Sequence, residues 1–427
     1  MQGLTRTTTL SLTLFSTPLW ADVHSVAPGQ SIQDAVDAAS NGDVIELGTG
    51  IFIESVSTVG KDLTFRGQAA NSTIWEAEPN GGCLQASYAD ITVEALTMTK
   101  GTGFGSFVQV GGAILANQCL LHVERCTFLD NESSSGGAVM LNYTFADFYD
   151  CDFEGNRVLH AGSYGGCAIK TVESMLRIDR SRFIDNGWGT TIKAQGVLHA
   201  SGSQLEVNNS VFRGNAVNYG SLAYLTGTDA IITHTTCLDN LAYTSGSVLW
   251  ANNGSTVQLG NSVVQNNVGP LYDEPFRYFD GASLSSAGNI SDVLIPAGTF
   301  DTWGATNLHP VVLDFEGDYD TPEIVGYPAD NPSVTLGSFT SPTLDTSVDI
   351  HQEPRVVYAA GAVESTDVQA SCSADLVANG RVDMDDLLVV LQSWGNCDGA
   401  CPGDANEDGF TDWLDLLSVI TAWGECP

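Results

Sequence analysis

Six asparagines, Asn131, Asn156, Asn186, Asn215, Asn240 and Asn267, stand 25, 30, 29, 25 and 27 residues apart, and the residues ahead of each recur with them. Three before stand Phe128, Phe153, Phe183, Phe212, Cys237 and Val264; five before stand Cys126, Cys151, Ser181, Ser210, Thr235 and Ser262. Eight before come Val123, Phe148, Ile178, Val207, Ile232 and Leu259, and ten before come Leu121, Ala146, Leu176, Leu205, Ala230 and Val257. The intervening positions are mostly polar, so the period is two and each run reads as a strand. A glycine motif upstream opens a second short apolar run: GGAI at 111, GGAV at 136, GGCA at 165, GSLA at 220 and GSVL at 246. Single short strands at this spacing, with no helical pattern between them, cannot bury a face alone. They can if the chain coils and each strand pairs in parallel with its counterpart one turn away. The asparagine then occupies an inward turn position, where its amide bonds the next one along the coil and satisfies buried polar groups.

Composition agrees with a large core and excludes several functions. Of 427 residues 43% are hydrophobic and 15% charged, which excludes a charge-driven disordered chain. Lys+Arg number 15 against Asp+Glu 51, giving a net charge of -36 and no basis for phosphate contacts, so no nucleic acid is expected as a partner. Residues 1–21 read as a secretory signal peptide, with Arg6, the apolar LSLTLF at 10–15, Pro18 and a small Ala21. Nothing later approaches ~20 uninterrupted apolar residues, so no membrane span is expected. Without Arg6 the balance becomes 14 against 51, or -37, which repels anionic polymers at long range, favours divalent cations and suits a secreted, extracellular or cell-surface location.

The GGAI/GGAV and F-x-x-N pairs resemble the repeats of right-handed parallel β-helix proteins, including chlamydial polymorphic membrane proteins and the pectate-lyase-like superfamily. SIQDAVDAASNGDVIELGTGIF (residues 31–52) is similar to the N-terminal cap of secreted β-helix enzymes and their non-catalytic relatives, with Ile32, Ala35, Val36 and Ala39 as the inner face of a plugging helix. SPTLDTSVDIHQEPRVVYAAGAVES (residues 341–365) resembles the closing coil of such proteins. The expected fold is therefore all-β: a right-handed parallel β-helix solenoid over 22–365, with its cap at 22–60 and closing coils at 271–365, then a linker at 366–371. The resemblance specifies the fold far better than an activity, because the fold serves lyases, hydrolases, esterases and adhesins alike.

Residues 372–427 carry a second duplication of period 29: Cys372 with Cys401, Asp375 with Asp404, Trp394 with Trp423, Cys397 with Cys426. Asp404, Asn406, Asp408, Gly409, Asp412 and Asp415 fall at positions 1, 3, 5, 6, 9 and 12 of a calcium loop, with the carbonyl of Phe410 at position 7. The first copy matches at Asp375, Asn379, Gly380, Arg381 (carbonyl), Asp383 and Asp386, and departs at Val377. Apolar stripes follow, Leu387, Leu391 and Trp394, then Leu416, Ile420 and Trp423. The pair resembles a type I dockerin, a small α-helical, EF-hand-like domain. That implies Ca2+ as the cofactor and attachment to a cohesin-like partner. Across about eleven helical residues Cys372 and Cys397 would lie roughly 16 Å apart, beyond the ~7 Å a disulfide tolerates. In a dockerin-like pair the second helix returns beside the first loop, which implies Cys372 with Cys426 and Cys397 with Cys401. Cys126 and Cys151, about 4.8 Å apart by strand spacing, can stack as thiols or bond.

Two surfaces could carry function. On the outward face of the repeated strands the columns read His122, Asp147, Arg177, Glu206; Arg125, Asp150, Arg180, Asn209; and Thr127, Asp152, Arg182, Val211. Arg180 and Arg182 with Asp150 and Asp152 are the candidate catalytic set, since β-helix lyases commonly use Arg or Lys as base. The alternation equally describes a salt-bridge ladder that keeps a solvated sheet from repelling itself. Unpaired arginines in a cleft would favour an enzyme; paired columns would favour a scaffold. The second surface is aromatic: Tyr164, Trp188, Tyr219 and Tyr243, one per variable loop on consecutive turns, are candidates to stack on successive sugar rings. Three functions follow: engagement of extracellular polysaccharide or cell-surface glycan, a non-catalytic adhesin or surface scaffold, or a pectate-lyase-like polysaccharide lyase.

Overall fold

The computed structural model describes residues 21–291 apart from 106–107, 160–164, 189–193, 270–274, 279 and 288. Beyond these it describes 302–303, 314–318, 321–325 and parts of 376–425. The chain is a parallel β-helix. Each coil makes three strands, as in Ile114–Asn117, Leu120–Glu124 and Thr127–Leu129, and each strand pairs in parallel with its counterparts in the coils before and after. Stacking them gives sheet I of nine strands, sheet II of twelve and sheet III of ten among the described residues.

The run ahead of each asparagine is two strands, not one. Inward positions are spaced by two within a strand but by three between Val123 and Cys126 and again between Phe128 and Asn131. The extra residue is a corner. It sits at positive φ in Arg125 (52°), Asp150 (52°), Arg180 (48°), Asn209 (48°) and His234 (47°), and in Asp130 (50°) before Asn131. A left-handed residue reverses the side-chain alternation and turns the chain into the next sheet.

Inside, identical positions stack. Phe128, Phe153, Phe183 and Phe212 form a column with centroids 4.6, 4.7 and 4.5 Å apart and planes within 8° of parallel. The asparagine ladder forms as its spacing requires. Nδ2 of Asn131, Asn156, Asn186, Asn215 and Asn240 donates to Oδ1 of the next at 3.2, 3.0, 3.0, 2.9 and 2.8 Å. The other corners carry shorter ladders, such as Cys151 N to Ser181 Oγ (3.1 Å) and Ser174 N to Ser203 Oγ (3.2 Å). These corners thus satisfy their buried backbone N–H groups from the next coil.

Helix α1 (Ile32–Ala38) plugs the first coil with Ile32 and Val36 buried and Ala35 packed beside them. Ser31 caps it by accepting from Asp34 N (3.0 Å), and the Glu54 carboxylate accepts from Ile32 N and Gln33 N at the dipole's positive end. Toward the other end, parallel pairing continues to Thr302–Trp303, followed by an antiparallel hairpin, Asp314–Asp318 with Thr321–Val325. The remainder of the expected closing coils, the signal segment 1–20 and the linker lie outside the described residues.

Helix α2 (Met384–Gln392) follows the first acidic loop. Arg381–Val382 pairs antiparallel with Gly424–Glu425, and Gly395–Asn396 pairs with Phe410–Thr411. These pairings are reciprocal under the 29-residue repeat. Each loop is bound to the segment that follows the other repeat's apolar stripe. Val382, Val390, Ala405 and Val419 form the core between them, with Leu387 and Leu416 packed against it. The stripe itself is displaced from the sequence reading: Leu391 and Trp394 are 51% and 49% exposed, and Val390 points inward instead. Six cysteines, Cys83, Cys119, Cys126, Cys151, Cys167 and Cys237, are buried free thiols, so Cys126 and Cys151 stack and do not bond. Cys372, Cys397, Cys401 and Cys426 lie outside the described residues.

Candidate ligand-binding face

The charge columns on sheets II and III are paired. Arg177 grips Asp147 with Nε at 2.5 Å and Nη2 at 2.6 Å, and Arg182 grips Asp152 at 2.6 Å through both nitrogens. Arg180 bonds Asp150 at 2.9 and 3.2 Å and also contacts Asp179. Asp147 and its hydrogen bond raise the Arg177 pKa further, and Arg177 also lies over the Phe145 ring at 4.8 Å. A guanidinium committed to two carboxylate oxygens is no general base. Asp179, buried beneath Arg180, is pushed up to about 6 by desolvation although Asn208 Nδ2 donates to it at 2.9 Å. Arg180, Arg182, Asp150 and Asp152 are brought together in mutual ion pairs.

Of the four loop aromatics, Tyr164 lies outside the described residues. Trp188 is 45% exposed, with its indole N–H donated to the carbonyl of Gly214, and Tyr243 is 42% exposed. Tyr219 is different, because it packs on two rings that the sequence reading passed over. These are Tyr224 (centroids 5.8 Å) and Trp250 (5.4 Å), themselves stacked at 4.3 Å and 7°.

Tyr224 and Trp250 belong to one outward column of sheet I. Strand register aligns Met140, Lys170, His199, Tyr224, Trp250 and Arg277 on successive rungs. From Lys170 to Arg277 is four rungs, about 19 Å at the usual strand spacing. His199 meets the Tyr224 ring edge-on at 5.0 Å. Although outside the coil, His199 and Tyr224 are only 6% and 9% exposed. Burial lowers the Lys170 pKa and raises that of the Tyr224 phenol. In a chain of net charge -36, this column carries two cations and a histidine around an aromatic platform, with no carboxylate on those rungs. The signal was present in the sequence. Four residues into three of the glycine-opened runs stand Met140 (from Gly136), Tyr224 (from Gly220) and Trp250 (from Gly246), and five residues into the run from Gly165 stands Lys170.

In the C-terminal region most expected calcium ligands fall outside the described residues: Asp375, Asn379, Asp383, Asp404, Asn406, Asp408, Asp412 and Asp415. Asp386, at position 12 of the first loop, is fully buried and accepts a hydrogen bond from Val377 N at 3.0 Å. A closing carboxylate folded back over the loop it terminates is what a twelve-residue cation loop needs. Arg381 and Phe410, at position 7 of each loop, lie in the paired strands.

No protein-family model matches the chain, and no curated protein matches it significantly. Among solved structures it is similar to an alginate lyase from Paenibacillus sp. at 16% identity, covering 61% of this chain and 99% of that one with a TM-score of 0.34. It is also similar to a pectin methylesterase in complex with a hexasaccharide, at 10% identity, covering 68% and 94% with a TM-score of 0.34. The catalytic unit of an alpha-1,3-glucanase from Streptomyces thermodiastaticus matches at 10% identity over 63% and 69%, with a TM-score of 0.23. Likeness at this level concerns the coil and transfers neither substrate nor mechanism.

Proposed function

We propose that this protein is a secreted or cell-surface β-helix that engages an extracellular polysaccharide laid along sheet I, parallel to the solenoid axis. The observation that carries the reading is the Tyr224–Trp250 stack with Tyr219 against both rings, on a column that ends in Lys170 and Arg277. Tyr219 and Trp250, half-buried and backed by Tyr224, offer the aromatic surface to sugar rings, and a straight column suits a polymer better than a compact metabolite. Trp188, exposed in a turn, and Tyr243, exposed in the strand Leu241–Ser245, would extend the surface, and Tyr164 is assigned to it by its place in the repeat. The paired arginines of sheets II and III support a binding or scaffold role for that flank. Affinity electrophoresis against uronate and neutral glycans tests the proposal. Trp250→Ala with Tyr219→Ala should lose at least tenfold in retention, and unchanged retention refutes it.

A catalytic reading attaches to one further feature, the desolvated Lys170 one rung from His199. Burial disfavours its charged form, which is the direction a general base requires. Formation of unsaturated products by the full chain, abolished in Lys170→Met with binding retained, would establish a lyase.

The tail completes the proposal. Asp404, Asn406, Asp408, the Phe410 carbonyl, Asp412 and Asp415 would hold one Ca2+. Asp375, Asn379, the Arg381 carbonyl, Asp383 and Asp386 would hold a second. Bound calcium neutralises each carboxylate cluster and couples its closure to folding. The module so folded attaches the β-helix to a cohesin-like protein. Met384, Leu388, Leu391 and Trp394, between 42% and 57% exposed on or just after α2, are the apolar surface offered to that partner.

A further inference from the structure

The corner between sheets I and II carries a second site, on earlier coils than the Lys170–Arg277 column. Its corner position is held at positive φ by Gly60 (66°), Gly202 (60°) and Gly227 (57°), and by the non-aromatic Glu173 (49°) and Asn253 (52°). On two coils it is held instead by tyrosine, Tyr88 (56°) and Tyr143 (51°), with Gln118 (53°) on the coil between. A bulky aromatic is strongly disfavoured there, and such strain persists where it serves a purpose. Neither ring repays it by packing: Tyr88 is 67% exposed and Tyr143 is 63% exposed. Both line one shallow, open cavity of about 650 Å³ together with Leu120, Phe145, Asp62 and Asp90. Leu120 is itself 54% exposed, so apolar surface is left open to solvent in the same cavity as the two rings. The cavity runs on into a groove of about 500 Å³ along Thr64, Thr92, His122 and Asp147.

We infer that this corner binds an uncharged pyranose glycan. The rings lie two rungs apart, about 9.6 Å along the axis, so they present two stacking faces in sequence along an extended chain. Between them the Gln118 amide offers both a donor and an acceptor, and the carboxylates of Asp62 and Asp90 accept from sugar hydroxyls. Charge selects the class. The cavity lining contains carboxylates and neither lysine nor arginine, which repels polyuronates and sulfated polymers. The inference does not depend on the reading of sheet I.

The test uses the full chain and three probes, β-1,4-linked hexaoses of glucose, mannose and xylose, followed by calorimetry and tyrosine fluorescence. At least one should bind, and Tyr88→Ala with Tyr143→Ala should weaken it tenfold or more. The decisive variant is Tyr88→Gly with Tyr143→Gly. It should raise the melting temperature by relieving the corner while losing the same binding. Trp250→Ala, on the separate column, should leave this binding intact. Four outcomes overturn the inference: no neutral hexaose binds, the glycine pair binds as well as the native chain, binding is lost in Trp250→Ala instead, or the tyrosines prove to retain polygalacturonate, a chitosan oligomer or a protein in preference to the neutral probes.

Discussion

Replacing Asn186 by alanine probes what holds successive coils together. Asn186 is fully buried and makes four side-chain hydrogen bonds. Its Oδ1 accepts from Asn156 N and Asn156 Nδ2, each at 3.0 Å, while its Nδ2 donates to Phe153 O at 2.8 Å and Asn215 Oδ1 at 3.0 Å. After truncation Asn215 Oδ1 keeps the backbone N–H of Asn186 (3.0 Å), and Asn156 Nδ2 keeps Phe128 O (2.8 Å). Asn156 N and Phe153 O lose the partners named here. Two or three buried groups left short at ~1–3 kcal/mol each give a loss of about 3–6 kcal/mol, a large share of a typical domain's 5–15 kcal/mol. Asn267, 8% exposed, accepts from Asn240 in the same way but donates to Cys237 O and Gln265 O and not to a further asparagine, so Asn267→Ala should cost less. Urea unfolding followed by far-ultraviolet circular dichroism, with the slope unchanged, measures both. A loss below ~1 kcal/mol for Asn186→Ala, or equal losses at the two sites, would refute the ladder as an energetic element.

The salt-bridge ladder should divide by burial. Arg182 and Asp152 are 30% and 32% exposed and should contribute ~0–1 kcal/mol. Arg180→Ala, which strands Asp179 at 1% exposure, should cost about 3 kcal/mol in thermal or urea unfolding. Asp179 itself makes stability pH-dependent. Its pKa rises from 3.8 to about 6 on folding, so its contribution is full below pH 4 and is lost as pH rises through 6. That is about 3 kcal/mol at 1.36 per unit, and Asp179→Asn should flatten stability over that interval. Removing calcium with a chelator should unfold the C-terminal module in the full chain while the β-helix signal persists. Calorimetry should show the second loop tighter than the first, with affinity lost in Asp404→Ala and Asp415→Ala. Phe183→Ala, in the middle of the ring column, should cost about 3–5 kcal/mol in the same urea assay.

The interior was legible because each of its columns is chemically uniform. Phe128, Phe153, Phe183 and Phe212 stack only on like rings, and an asparagine amide is satisfied best by another asparagine one coil away. The outward pairs Asp147–Arg177, Asp150–Arg180 and Asp152–Arg182 followed from the same register, because parallel in-register pairing sets outward columns as firmly as inward ones. Two features were not legible. The corners were merged into a single strand because the left-handed position accepts Arg125, Asp150, Asn209 and His234 alike, leaving no signature but the change of parity. The sheet I platform was missed because Met140, Lys170, His199, Tyr224 and Trp250 share no chemistry. A column that differs on every rung does not look like a repeat.

Within the asparagine-marked coils, insertions concentrate at one edge. Most corners from sheet I to sheet III take two residues, as at Gln118–Cys119 and Arg125–Cys126, so most of the variation between 25 and 30 residues arises after each asparagine and before the next sheet I strand; the corner after Asn252 takes three. A whole turn can therefore be excised or copied between equivalent asparagines, for example 157–186, and the cut ends rejoin in the same register. The molecule is in this respect a ruler graduated in steps of about 4.8 Å. Its length can be reset by recombination one graduation at a time, without redesigning the core.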